Sequence, residues 1–203
     1  MTLYRTYVLL LPMLLSLAVR AVELPEAPNE PVLSGSFQQQ RLMQGFSRPM
    51  LSSGHFVFWR ERGVLWQLEL PFVKTTTYLS DETLSWTTEG QLIERKISDQ
   101  IEKEVAAIII ALLGADYEHL QRRFILSYTE DAQVWSINLQ PKDQLLAEYL
   151  ESIDISGRDF IDTLSVHSSN GDTNVTSFVL ENRSLEPSVK AQPFFMPNPG
   201  INP

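Results

Sequence analysis

Ser165, His167 and Asp162 are the residues of this sequence whose types and spacing come nearest to a catalytic set. Residues at i and i+2 of a strand lie on one face, so Ser165 and His167 could pair as the nucleophile and base of a hydrolase. No glycine-framed turn surrounds the serine, and a polar outer strand face is the simpler interpretation. His55, His119 and His167 lie far apart without metal-ligand spacing. The sequence therefore predicts no enzyme, no cofactor and no metal.

Arg60 is the second candidate, because it lies among large apolar residues. The stretch GHFVFWRERGVLWQLELPF, residues 54–72, predicts two strands joined by a turn at Gly63. Strand alternation predicts one apolar lining, formed by Phe56, Phe58, Trp66 and Leu68. Arg60 points the same way, where a charge is costly unless it is paired. Either it lies at the strand end and reaches water, or it lies at a cavity mouth and binds carbonyls of a movable element.

The elements around these residues are mostly short strands at a spacing of about ten residues, which favours an antiparallel sandwich or barrel. The predicted strands are Gly54–Arg60, Val64–Leu70, Val73–Leu79, Leu84–Thr88, Leu92–Ile97, Phe124–Thr129, Gln133–Leu139, Ser152–Ser156, Phe160–Ser168 and Asn174–Leu180. The predicted helices are Val32–Gln44, one from Ser98 or Asp99 to Gly114, Asp116–Arg122, and one from Pro141 through Leu150.

The helix that ends near Gly114 is too apolar for an ordinary surface helix. Its stripe at i, i+4, i+7 and i+11 consists of Ile101, Val105, Ile108 and Leu112. Ile109, Ile110 and Leu113 widen the stripe further. The sequence predicts that this helix is covered on most sides or itself covers an apolar surface.

The first 21 residues predict a signal peptide rather than part of the fold. Arg5 precedes a short apolar run, and small residues around Ala21 predict cleavage there. The run is too short to span a bilayer comfortably. With no cysteine, the chain has neither a lipoprotein attachment site nor a disulfide, so the exported protein depends on its core alone.

The charge balance is acidic. The whole chain has a formal charge of −9, and removing residues 1–21 with their two arginines makes it −11. This balance argues against binding to nucleic acid or to an anionic membrane, because no basic field attracts phosphates. Residues 22–186 are predicted to form a single domain that begins with a loose proline-containing arm. Residues 187–203 are predicted to form an irregular proline-rich tail.

The residues of the paired strands also resemble a known family. The stretch SGHFVFWRERGVLWQLELPF, followed by YLSDETLSW, is similar to the periplasmic lipoprotein carrier LolA and its relatives, and the matching positions are Gly54, Phe56, Arg60, Trp66, Pro71, Ser80, Asp81 and Trp86. Residues 35–54 resemble the family's N-terminal helix and loop. Residues 139–156 and 159–178 resemble its later helix and paired strands. Glu61 replaces the family's usual proline and Glu82 its glycine, which favours a divergent paralogue over the housekeeping carrier and leaves open a lipid cargo other than a lipoprotein.

The resemblance implies an α+β fold: an open, curved antiparallel half-barrel with helices plugging its mouth. It implies that the apolar helix is a lid whose loop Arg60 holds closed. The implied cavity and lid residues are Phe56, Phe58, Arg60, Trp66, Leu68, Leu79, Trp86, Ile101, Val105, Ile108, Ile109 and Leu112. The residues alone leave open whether the aromatic side chains among them bind a ligand or simply form a core.

The function implied is that of a monomeric periplasmic carrier that shuttles a lipoprotein or another acylated lipid toward the outer membrane. Its partners would be an inner-membrane exporter and an outer-membrane acceptor. A periplasmic module that senses lipids or lipoproteins is the main alternative. A lipid hydrolase that uses Ser165 and His167, and an inert structural protein, are two others.

Overall fold

The computed structural model of the chain describes residues 24–97 and 100–196, with residues 97 and 100–106 described by their backbone alone. The predicted signal peptide and the end of the predicted tail lie outside this part. The strands are β1 Val32–Leu42, β2 Met50–Trp59, β3 Gly63–Leu70, β4 Lys74–Tyr78, β5 Glu82–Trp86, β6 Leu92–Ile97, β7 Phe124–Asp131, β8 Val134–Pro141, β9 Leu150–Gly157, β10 Ile161–Ser168 and β11 Thr173–Ser184. The helices are α1 Gln100–Leu113, α2 Tyr117–Arg123, α3 Gln144–Ala147 and α4 Gln192–Phe195.

All eleven strands form one antiparallel sheet in the order β6-β5-β4-β3-β2-β1-β11-β10-β9-β8-β7. Every neighbouring pair is consecutive in sequence except β1 and β11, which join the two halves at the centre. The edge strands β6 and β7 do not pair with each other, so the curved sheet stays open. This confirms the predicted α+β half-barrel.

β1 lies where the sequence predicted a helix over Val32–Gln44, and that prediction is wrong. Leu33 and Phe37, which suggested a helical stripe, are four residues apart, a spacing that also places two residues on the same face of a strand. Both are buried, and Phe37 lies opposite Phe178 of β11. Gly35 between them has no room for a side chain, since an added Cβ would lie 2.0 Å from the carbonyl oxygen of Val179. Long-range pairing on both sides therefore overrides the local helical preference of the glutamine-rich segment.

α1 and α2 connect the two open edges of the sheet, because they follow β6 and precede β7. α1 packs on one face of the sheet, here called the inner face, and its buried residues there are Ile108, Ala111, Leu112 and Leu113. At the end of α1, Gly114 lies so close to the sheet that an added Cβ would be 3.2 Å from Cζ of Phe58. The predicted apolar helix is thus present, and it covers the inner face.

The inner face carries the main core. Strand residues from both halves of the sheet meet α1 in one buried cluster, which includes Leu33, Phe37, Phe56, Phe58, Val64, Trp135, Ile137, Leu139, Ile153, Ile155 and Phe178. Half-buried apolar residues extend this cluster along the inner face, among them Trp66, Leu68, Leu126, Leu164 and Val166.

The opposite face, called the outer face, carries a second and smaller core under the C-terminal segment. Leu65, Ala191 and Phe195 are buried together, with Val57, Trp59, Leu79 and Phe194 packed around them. The sequence predicted an irregular tail, but within it the structure forms the short helix α4, whose two phenylalanines contact this face.

Two further segments differ in detail from the sequence predictions. The predicted helix from Pro141 through Leu150 shrinks to α3, because Pro141 ends β8 and Leu150 begins β9. The predicted β7–β8 hairpin forms, and its turn residues Ala132 and Gln133 adopt positive φ angles of 48° and 71°. None of the helices in the described part of the chain has the length and apolarity needed to cross a bilayer.

Candidate functional site

The four strand residues predicted as one lining lie together on the inner face. Phe56 and Phe58 are almost fully buried in the main cluster, and Trp66 stacks on Phe37 with ring centroids 3.9 Å apart. Leu68 is half-buried at the edge of the same cluster. The β2–β3 register, which pairs Phe56 with Trp66, produces this arrangement.

Three of the five predicted lid residues have described side chains, and these contact the same lining. Ile108 and Leu112 are buried in the cluster, and Ile109 is half-buried against it. Ile101 and Val105 belong to the backbone of α1, but their side chains lie outside the described part. The C-terminal half of α1 therefore occupies the space above the strand aromatics.

Trp86 and Leu79, which the sequence grouped with the lining, lie elsewhere. Trp86 pairs with Thr75 on the outer face, donates its indole N–H to the Thr77 hydroxyl at 3.0 Å, and packs edge-on against Phe194 of the tail at 5.1 Å. Leu79 packs against the smaller core under the tail. The grouping failed because the register of β4 and β5, which turns every second residue to the outer face, cannot be read from tryptophan spacing.

Arg60 directly follows β2, is exposed, and binds the N-terminal arm. The arm comprises residues 24–31. The Arg60 guanidinium donates to the carbonyl oxygen of Pro28, and its backbone N–H donates to that of Pro31 at 2.9 Å. Of the two interpretations left open, the structure combines parts of both: a strand-end arginine in contact with water that also binds backbone carbonyls. The loop that leads into α1, which the family resemblance gave as the partner of Arg60, includes residues 98 and 99, which lie outside the described residues.

A cavity of about 540 Å³ opens beneath the arm, at the end of the half-barrel where Arg60 lies. Its lining includes the arm itself, the last turn of α1, Tyr117, Trp135 and Phe160. Arg183 forms an ion pair with Glu30 of the arm at 3.7 Å, which adds a second contact between the arm and the sheet. The arm thus closes this end of the inner face.

Tyr117 is the residue of this cavity whose titration the structure perturbs most. Burial raises the pKa of the Tyr117 hydroxyl to about 12, and the nearby Tyr128 adds to the shift. The hydroxyl of Tyr128 donates to Glu130 at 3.0 Å. Burial and the neighbouring Tyr128 both disfavour a negative charge on the Tyr117 hydroxyl.

The inner face also carries a linked set of polar groups toward the other end of the central strands. The Ser52 hydroxyl donates to the Gln39 side-chain oxygen at 3.2 Å, and the Gln39 amide nitrogen donates to the Thr176 hydroxyl at 3.2 Å. These three residues lie opposite one another on β2, β1 and β11. A ligand along the inner face would therefore meet hydrogen-bonding groups at this end and apolar ones at the centre.

Ser165 and His167 share a strand face, as predicted, but their geometry gives no support to a nucleophile–base pair. Both belong to the outer face of β10. The Nε2 atom of His167 lies 3.0 Å from a carboxylate oxygen of Asp154, and its Nδ1 lies 3.4 Å from the Thr173 hydroxyl. Both ring nitrogens therefore have other partners, and Asp162 is paired with Arg158 at 3.1 Å. In the described residues, no group of three or more acidic, histidine or cysteine side chains could hold a metal ion.

The sequence reasoning missed Phe160 and Phe178, which complete the aromatic part of the site. Phe178 meets the rings of Phe56 and Trp66 edge-on at 5.5 and 6.2 Å. Phe160 stacks over Phe56 at 6.2 Å. Alternation within VTSFVL could have placed Phe178 on a strand face, but only the β1–β11 pairing brings it to Trp66.

A family model described as "Outer membrane lipoprotein carrier protein LolA-like" matches residues 30–179. No curated protein sequence is significantly similar to the chain. Similar solved structures include a LolA superfamily protein from Nitrosomonas europaea, at 6% identity and a TM-score of 0.45, covering 81% of this chain and 91% of that one. The MucA/MucB complex of Pseudomonas aeruginosa gives 12% identity and a TM-score of 0.42, covering 78% of this chain and 54% of that one. A DUF1329 family protein from Desulfovibrio piger gives 7% identity and a TM-score of 0.40, covering 82% of this chain and 90% of that one.

Proposed function

Because the chain belongs to the LolA-like family of outer-membrane lipoprotein carrier proteins, we propose that it is a periplasmic carrier of a lipoprotein or another acylated lipid. The acyl chains would lie on the inner face of the half-barrel, where α1 now packs. The protein would act by binding and release rather than by catalysis. An inner-membrane exporter would supply the cargo, and an outer-membrane acceptor would receive it.

The observation that carries this proposal is the position of α1. Its buried residues Ile108, Leu112 and Leu113 fill the space over the strand aromatics, and α1 and α2 form the connection between two sheet edges that do not pair with each other. A helix placed in this way can move outward without breaking any strand pairing. The apolar surface it would uncover is continuous across both halves of the sheet.

The energetics explain why a carrier benefits from such a helix. Burial of an acyl chain contributes about 0.8 kcal/mol per CH₂ group, so a 16-carbon chain gains on the order of 12 kcal/mol. A cavity that kept all of this free energy would hold its cargo too tightly to pass it on. Displacing α1 costs part of the same apolar burial, and the net affinity is the smaller difference between the two.

The arm is the second element that the proposal requires to move. It closes the cavity beside the end of α1 and is held by Arg60 and Arg183 through Pro28 and Glu30. Opening the arm breaks these polar contacts and exposes the half-buried Leu24, which packs against the main cluster. This costs far less than unfolding a strand. The arm would therefore control access to the inner face from this end.

The first test is native mass spectrometry of the protein expressed in a bacterial periplasm, before and after extraction with organic solvent. We expect a discrete additional mass that is lost on extraction and identified as an acylated molecule. A protein that carries no ligand, and takes up none from mixtures of lipids and lipoproteins, would contradict the proposal.

A matched pair of substitutions on β7 locates the binding surface. Leu126 is half-buried on the inner face, whereas Ile125 is 54% exposed on the outer face. Leu126→Asp should reduce the bound acyl ligand at least tenfold, because a carboxylate would lie against the acyl chain. Ile125→Asp should leave binding unchanged. Equal effects of the two substitutions would place the ligand away from the inner face.

A transfer assay separates a carrier from a sensing module, since both would bind lipid. The loaded protein is mixed with acceptor vesicles that contain no cargo, and the labelled lipid is followed. A carrier releases it to the vesicles within the time of the experiment. Retention of the lipid by the protein would favour the sensing module.

A further inference from the structure

One end of the sheet exposes seven large apolar side chains on two neighbouring hairpins, six of them more than half exposed. Here this surface is called the tip, and it comprises residues 42–51 between and around β1 and β2 and residues 70–74 between β3 and β4. Its most exposed apolar residues are Phe46, Met50, Leu51, Leu70, Phe72 and Val73, with exposed fractions of 62%, 53%, 62%, 62%, 77% and 61%. Single exposed apolar residues are ordinary in proteins, but a group of six on adjoining loops is not.

The strand register places the two hairpins side by side. Ser53 of β2 pairs with Leu70 of β3, so Met50 and Leu51 extend beyond that pair on one side and Phe72 on the other. Phe46 lies in the turn between β1 and β2. The apolar residues of the tip therefore lie at the same end of the half-barrel, opposite the end closed by the arm, although Met50 and Leu51, as neighbours on β2, face opposite sides of the sheet.

The charge of the tip differs from that of the rest of the chain. Residues 41–53 and 70–80 contain no aspartate or glutamate, although the whole chain has 25 acidic residues. Arg48 and Lys74 are both exposed there, while Arg41 is paired with Asp172 at 3.3 Å. Charges further away than about 8 Å are largely screened at physiological ionic strength. The nearest carboxylates are those of Asp172, which pairs with Arg41 and accepts the backbone N–H of Gln44, and of Glu69, which lies 3.5 Å from His55. Together with Arg48 and Lys74, these groups make the tip less acidic than the average of the chain.

We propose that the tip docks on the surface of an anionic lipid bilayer. Apolar side chains on projecting turns can enter the headgroup region one by one, and the adjacent cations meet the lipid phosphates. Two hairpin turns offer little of the flat, closely packed area that a stable protein interface buries. The overall acidity, which argued against such binding, describes the average of the chain and not this end.

Docking at the tip would bring the open part of the inner face close to the bilayer. Leu68, half-buried on the inner face, precedes the tip residue Leu70 by two positions on β3. The polar group formed by Gln39, Ser52 and Thr176 lies at the same end of the central strands. The bilayer contact does not depend on the carrier function, because it follows from exposure and charge alone.

The test is cosedimentation of the protein, in the form a bacterial host processes it, with vesicles of phosphatidylcholine alone and with 30% phosphatidylglycerol added. We expect binding to the anionic vesicles that weakens as salt is raised. Phe46→Ser combined with Phe72→Ser should weaken it at least tenfold, and Arg48→Glu combined with Lys74→Glu should do the same. Leu185→Ser combined with Val189→Ser is the matched control, because those residues are 78% and 84% exposed outside the tip.

Three outcomes would overturn the proposal: no binding to anionic vesicles, binding that does not change in the tip variants, or an equal loss in the control variant. Two further measurements test whether the tip binds a protein instead of a bilayer: light scattering of the protein without lipid, and binding to a purified transport partner. A dimer that Phe46→Ser and Phe72→Ser dissociate, with vesicle binding at background, would make the tip an interface between copies. Vesicle binding at background together with tip-dependent binding to a purified transport partner would make it a protein-docking site.

Discussion

Arg60 links the sheet to the arm through both its backbone and its side chain. Its N–H binds Pro31 and its guanidinium binds Pro28, two carbonyls of a segment with few other partners. A charged donor on a carbonyl oxygen is stronger than a neutral one, although exposure to water reduces the benefit. The residue that looked misplaced in an apolar strand thus holds the segment that closes the cavity.

Replacing Arg60 with leucine should release the arm without unfolding the sheet. We expect a loss of about 1 kcal/mol in arm closure, which is roughly a fivefold increase in the open population. Cleavage after Glu26 by a glutamate-specific protease under native conditions measures this population, because the arm must open to be cut. Arg48→Leu, at the far end of the sheet, is the control and should not change the rate. An unchanged rate in Arg60→Leu would show that the contact does not hold the arm.

Tyr117 predicts a pH dependence at the same cavity. Its pKa is raised to about 12 in the folded protein from an ordinary value of 10, so folding favours the neutral hydroxyl. This contribution to stability is fully present below pH 10 and is lost as the pH rises through about 12. Urea unfolding of the protein and of Tyr117→Phe at pH 8 and pH 11 measures it. The natural protein should lose more stability between these two values than the variant; parallel losses would contradict the shift.

The C-terminal segment is an element that the family match, which ends at residue 179, does not include. α4 places Phe195 edge-on to Trp59 at 5.5 Å and Phe194 edge-on to Trp86 at 5.1 Å. These contacts bury Leu65, which would otherwise be exposed on the outer face. The tail is therefore part of the folded structure of this chain, and it gives the β2–β5 half of the sheet a core on each face.

Phe195→Ala should lower the free energy of unfolding by about 3 kcal/mol, the usual cost of removing a buried phenylalanine ring. Urea unfolding followed by tryptophan fluorescence measures the loss. Met196→Ala, next in sequence and 50% exposed, should change stability by less than about 0.5 kcal/mol. If both variants unfold like the natural protein, the tail does not stabilise the outer face.

Among the helices and strands, the sequence was most informative where the apolar residues followed only one periodicity, that of a helix or that of a strand. The boundaries of β6 match the prediction, and α1 ends at Leu113, directly before the predicted C′ residue Gly114. The predicted N-cap of α1, Ser98 or Asp99, lies outside the described residues. The segment that became β1 was misread because the spacing of Leu33 and Phe37 fits a helix and a strand alike. The same holds for the site residues. Strand alternation correctly predicted that Phe56, Phe58, Trp66 and Leu68 share one face. The face on which Trp86 lies could be assigned only from the pairing of β4 with β5.

For the whole molecule, the central feature is a sheet that could bury its inner face by closing but uses a helix instead. β6 and β7 remain edges, and α1 supplies the apolar contacts over the centre. Stability and ligand binding are then linked, because α1 and an acyl chain would compete for one surface. Weakening α1 should lower stability and strengthen binding together.

Leu112→Ala and Leu139→Ala test this competition. Both leucines are buried, at 6% and 0% exposure, but Leu112 belongs to α1 and Leu139 to β8. Each substitution should cost about 2–4 kcal/mol of unfolding free energy. Titration with a fluorescent fatty acid should show tighter binding for Leu112→Ala only, because that change makes α1 easier to displace. Equal affinities in the two variants would refute the competition between helix and ligand.

The sequence by itself determined the fold class of the protein and the apolar residue types that form its candidate site. These conclusions rest on local patterns: the short alternating strands, the unusually apolar helix and the spacing of Arg60 and Trp66. Local patterns determine whether a segment is a helix or a strand, which residues share a face, and where the turns lie. Only the tertiary structure decided which partner Arg60 binds, that residues 32–42 form the central strand, that Trp86 faces the tail, and that the two acid-free segments 42–51 and 70–74 lie at one end. These features depend on contacts between residues far apart in the chain, which arise from register and packing of the whole sheet rather than from any local pattern.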